Sequence, residues 1–73
     1  MEKYQERMLA EFKELSEKCL KLKKIILSSE EFEKLDCRRQ SLMSAQLNAM
    51  DVYKNILEER LNIEGINPYK NED

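Results

Sequence analysis

The sequence predicts an all-α fold, an antiparallel helical hairpin with a short helical corner that assembles into an oligomeric helical bundle. Three observations carry this prediction. Apolar residues recur at alternating spacings of four and three in two long stretches, the stripe by which one helix packs on another. The 73 residues include one Gly and one Pro, too few for a sheet built on tight turns. Hydrophobic residues make up 41% of the chain, more than disordered segments carry. A chain this short is a single domain, read as a hairpin over 1–65 and a flexible tail over 66–73.

The first long helix runs from about Glu2 to Ser28. Met8, Phe12, Leu15, Cys19, Leu22 and Ile26 are spaced 4, 3, 4, 3 and 4 apart, a heptad seam. Tyr4 extends this face by one turn, while Leu9, Leu20 and Ile25 widen it. The remaining positions hold mostly good helix formers. Glu14–Lys18 and Glu17–Lys21 stand four apart in the favourable order, each pair worth about 0.2–0.5 kcal/mol.

Ser28-Ser29-Glu30-Glu31 interrupts that helix. Ser28 with Glu31 fits a capping box, and the acids suit a helix start. Phe32 and Leu35 give one apolar turn before Asp36, a second N-cap. The corner over 29–35 is equally compatible with an extension of the second long helix, which spans 37–64. Leu42, Met43, Leu47, Met50, Tyr53, Ile56, Leu57 and Leu61 form its apolar set. Gly65 supplies a left-handed cap and Pro68 forbids resumption.

Folding the helices back about the corner makes neighbours of residues whose numbers sum to about 65. Met8 then meets Leu57, Phe12 meets Tyr53, Leu15 meets Met50 and Leu22 meets Met43. Towards the corner the seam turns polar, with Cys19 on Gln46 and Ile26 on Arg39. Two rods touch along one line, and a chain this small gains only ~3–5 kcal/mol from its own core. Leu9, Leu20, Ile25, Leu47, Ile56 and Leu61 lie off this seam. Self-association into a homo-oligomer is the economical way to cover them.

Several function classes fall away. The chain has no His, the usual general base and commonest metal ligand. Cys19 and Cys37 are too few and too far apart for a zinc site, and read as free thiols in a reducing compartment. No carboxylate pair sits in an apolar niche, and no phosphate loop or nucleophile elbow is present. These features predict no enzyme, no cofactor and no metal. No apolar run or signal-like N-terminus appears, so the expectation is a cytoplasmic protein without membrane contact. At a pI of about 5.2, attraction to nucleic acid is weak.

Candidate binding residues gather near one end. Lys18, Lys21, Lys23 and Lys24 form the one stretch of four cations without an intervening acid, and the hairpin returns Arg38 and Arg39 beside Lys24. Arg grips a phosphate with two parallel hydrogen bonds and Lys adds a point charge. Lys21, Lys24, Arg38 and Arg39 are therefore the candidate phosphate ligands, with Gln46 on the seam as a contact for a base edge. The competing reading is a solvated charged face, with Glu30, Glu31 or Glu33 pairing with Arg39 and Gln46 setting helix register. Tyr53 and the methionines Met8, Met43 and Met50 read as core.

Tyr4-Gln5-Glu6-Arg7, Glu11-Phe12-Lys13-Glu14-Leu15, Phe32-Glu33-Lys34-Leu35, Gln46-Leu47-Asn48-Ala49-Met50 and Tyr53 to Leu61 resemble a family of small phage and prophage helical proteins. That family is related to a protein of crAss-like phages of gut bacteria. The architecture is also similar to the hairpin module of phage sponge proteins directed against CBASS and Thoeris immunity. The resemblance implies an oligomeric anti-defence protein in a bacterial host that sequesters a cyclic nucleotide or ADP-ribose-type signal. The alternative is a helical protein–protein interaction module, acting as a direct inhibitor of a host defence protein or as an assembly adapter.

Overall fold

The computed structural model describes residues 1–70. Helix α1 spans Lys3–Ser28, α2 Glu30–Glu33 and α3 Cys37–Ile63, and among the described residues there is no strand. The boundaries follow from local chemistry. The Glu2 backbone N–H donates to Gln5 Oε1 at 2.8 Å, satisfying one of the free donors at the start of α1. At the corner the cap is Ser29 rather than Ser28. Ser29 has an extended backbone, and its hydroxyl accepts from the Glu31 and Phe32 N–H groups. The Ser28 hydroxyl instead donates back to the Lys24 carbonyl at 2.8 Å, which keeps Ser28 in α1. Asp36 caps α3 by accepting from the Arg39 N–H at 2.8 Å.

The corner is a separate short helix, pinned to α3 where Gln40 Nε2 donates to the Phe32 carbonyl at 2.8 Å. At the far end Gly65 takes φ 77°, the left-handed conformation that costs glycine least. The Ile66 N–H then reaches the Leu61 carbonyl and the Gly65 N–H the Asn62 carbonyl, closing α3 with a Schellman motif. The two long helices pack against each other as a hairpin.

The register differs from the one the heptad pattern suggests. Tyr4 and Gln5 both reach Glu64, and Cys19 stands by Asp51, so facing residues sum to 68–70 rather than 65. This is a slide of about one helical turn. It brings Leu61 level with Met8 and Leu57 level with Phe12, and these four form the buried cluster. Leu61, expected off the seam, is 0% exposed, whereas Tyr53, expected in the core, is 43% exposed. Leu9, Leu15 and Ile66 pack around the cluster.

Residues 66–70, which their composition suggests are loose, fold back over the open end. Pro68 is buried, the Tyr69 ring meets Phe12 edge-to-face at 5.6 Å between centroids, and the Tyr69 hydroxyl donates to Glu58. Asn71 to Asp73 lie outside the described residues.

Candidate functional site

The five candidate ligand residues predicted from sequence are all exposed, and the structure does not gather them into one place. With facing residues summing to near 69, Lys21 and Lys24 stand level with the stretch of α3 around Gln46. Arg38 and Arg39 lie about two turns further on, at the corner. Arg39 does not face the seam. Its guanidinium donates to Asp36 Oδ2 at 2.6 Å on the surface, so its partner is its own helix cap and not Glu30, Glu31 or Glu33. Gln46 is likewise turned outwards, with its amide 3.9 Å from Met50 Sδ.

Two clefts flank the line where α1 meets α3. On one side Glu11, Glu14, Leu15, Lys18 and Tyr53 line a space of about 180 Å³. Its ammonium group is already taken, because Lys18 Nζ lies 3.2 Å from Glu14. This side is acidic and apolar, and does not suit an anion.

The other cleft, about 240 Å³, has Ser16, Cys19, Leu20 and Lys23 from α1 and Leu47, Asp51 and Lys54 from α3. Helical spacing explains the set, since 16, 19, 20 and 23 share one face of α1 and 47, 51 and 54 one face of α3. Cys19 forms the buried floor, Ser16, Leu47, Asp51 and Lys54 are half-buried, and Lys23 is exposed. Burial pushes the Cys19 thiol up, the nearby Asp51 carboxylate adds to this, and Lys54 opposes it. The thiol is therefore protonated near neutral pH, and its role in the cleft is apolar packing rather than nucleophilic attack. Neither lysine is in an ion pair with Asp51 among the described residues. The Ser16 hydroxyl oxygen is shielded from solvent and has no hydrogen-bond partner among them.

Sequence reasoning missed Ser16, Asp51 and Lys54. The signal was present as charged residues one turn apart on α3, but the expected register turned that turn of helix away from Cys19 and Ser16. Lys23 was noticed as part of the basic run and not as the member that faces a cleft.

Among the described residues no His, Cys, Asp and Glu group could hold a metal ion, and no helix is long and apolar enough to cross a membrane. No curated protein and no solved structure matches this chain. The Sequestin family model matches residues 2–63, which take in α1, the corner and α3, and the chain belongs to the Sequestin family.

Proposed function

We propose that this protein is a non-enzymatic, phage-type anti-defence protein that assembles as a homo-oligomer and sequesters a phosphate-bearing nucleotide signal. Membership of the Sequestin family carries this reading, because the family's name denotes sequestration and its model covers both long helices. The architecture supports it. Capture without chemistry needs a scaffold with cationic groups and no reactive centre, and the hairpin keeps Lys21, Lys24 and Arg38 exposed at separate places along its length.

Assembly is supported by what the hairpin leaves uncovered. Leu42, Val52 and Ile56 are 57%, 59% and 52% exposed on α3, on a rod whose core is five residues. A second copy covers such a face without new sequence. The same surface supports a second reading, a helical module that docks on a host protein.

A thermal-shift screen against cyclic dinucleotides and ADP-ribose derivatives tests the proposal. A sequestered ligand at 100 times its Kd raises stability by about 2.7 kcal/mol. A screen in which no nucleotide moves the melting temperature, while a host protein does, replaces sequestration with the docking module. Light scattering tests assembly, where a single 8.8 kDa species with full helicity at micromolar concentration would exclude it.

A further inference from the structure

We infer that the seat of the sequestered ligand is the cleft between α1 and α3 formed by Ser16, Cys19, Lys23, Leu47, Asp51 and Lys54, and that it takes a phosphorylated sugar. The inference rests on the sequestration reading above and places its site more than two helical turns along α3 from the corner arginines.

The cleft brings together charged groups that lack ion-pair partners. Asp51 and Lys54 are half-buried and neither is in an ion pair among the described residues; the Asp51 carboxylate has only the weak Cys19 thiol against it. Charges at the wall of a cleft are open to a ligand that carries the complementary groups. A single ligand serves both charges. An anionic phosphate accepts from Lys54 and Lys23, and sugar hydroxyls donate to Asp51.

Size and apolar lining narrow the class. At about 240 Å³ the cleft falls below the ~300–1,000 Å³ of sites that enclose whole drug-sized ligands. A sugar phosphate is the part of a nucleotide that fits. Leu20, 55% exposed at the rim, offers a flat apolar support on which the base continues outwards. Two ammonium groups against one carboxylate leave the lining net positive, unlike the cleft on the opposite side, whose lysine is already paired.

The test is amide chemical-shift mapping of the full chain during titration with ADP-ribose and with 3′,3′-cyclic GMP–AMP, joined to binding measurements on Lys54→Ala, Asp51→Asn and Arg39→Ala. The expected result is shifts clustered at residues 16–23 and 47–54, at least tenfold weaker binding for Lys54→Ala and Asp51→Asn, and a change within twofold for Arg39→Ala. The wild-type map keeps the test valid if a cleft variant fails to fold. Shifts clustered at residues 36–39, with tenfold loss for Arg39→Ala alone, would overturn the cleft and leave sequestration standing. No shift with either probe would overturn the cleft as the seat of these ligands, and sequestration falls with it only when the thermal-shift screen also finds no nucleotide.

Discussion

The Tyr4 hydroxyl donates to the Glu64 carboxylate at 2.6 Å, joining residues 60 positions apart across the open end of the hairpin. Gln5 Nε2 donates to the same oxygen at 2.8 Å, so the first turn of α1 holds the residue that ends α3. The bond is on the surface and its energy is small, but it opposes a slide of one helix along the other.

This clamp is pH-dependent. Hydrogen bonds from Tyr4 and then from Gln5 favour the charged carboxylate and hold Glu64 below its ordinary value. A carboxylate depressed in the folded state contributes stability that is present above its unfolded pKa and is lost as pH falls through the folded one. Melting curves from pH 7 down to pH 3 should therefore show a smaller acid-induced fall for Glu64→Gln than for the wild type. Parallel curves for the two proteins would mean the clamp is absent in solution.

The one-turn slide is tested by paired truncations. Leu61 is 0% exposed and Ile63 is 84% exposed, two residues away on the same helix. Leu61→Ala should cost about 2–5 kcal/mol, as deletions in a packed core do. Ile63→Ala should stay within about 0.5 kcal/mol, as surface changes do. Equal effects at the two positions in denaturant unfolding would contradict the observed core.

Tyr69 should stabilise the hairpin from outside its two long helices. Its edge-to-face contact with Phe12 belongs to a class worth about 0.5–1.5 kcal/mol beyond simple burial. For a chain of this size, Tyr69→Ala should lower the melting temperature by roughly 4–8 °C per kcal/mol lost. Tyr69→Phe retains the ring contact and should recover most of the loss. A Tyr69→Ala protein that melts with the wild type would show that residues 66–70 leave the hairpin in solution.

The two thiols should differ in reactivity. Cys37 is exposed at the start of α3, while Cys19 is buried and its thiol is pushed up by that burial. Under native conditions alkylation should label Cys37 quickly and Cys19 only on unfolding, giving one label and then two per chain by intact mass. Rapid labelling of both would mean the α1–α3 contact opens readily. Recovery of an unlabelled, bridged chain would contradict the fold.

Local chemistry in the sequence determined the elements. The four-and-three spacing of Met8 to Ile26, the Asp36 cap and the Gly65–Pro68 stop place both long helices within a residue or two of where they lie. Each of these signals acts over a few residues, so it is legible without the rest of the chain. The tertiary structure alone decided the register. A seam that repeats every three or four residues offers apolar partners at one alignment and again a turn away, so the pattern from Met8 to Leu61 does not discriminate between them. Contacts outside the seam do: Tyr4 and Gln5 on Glu64, Tyr69 on Phe12, and Gln40 on the corner carbonyl of Phe32. That slide buried Leu61, turned Tyr53 outwards, left Arg39 on its own cap and brought Asp51 beside Cys19. The candidate cleft was hidden in the sequence for the same reason, because its two walls face each other only in the register those end contacts select.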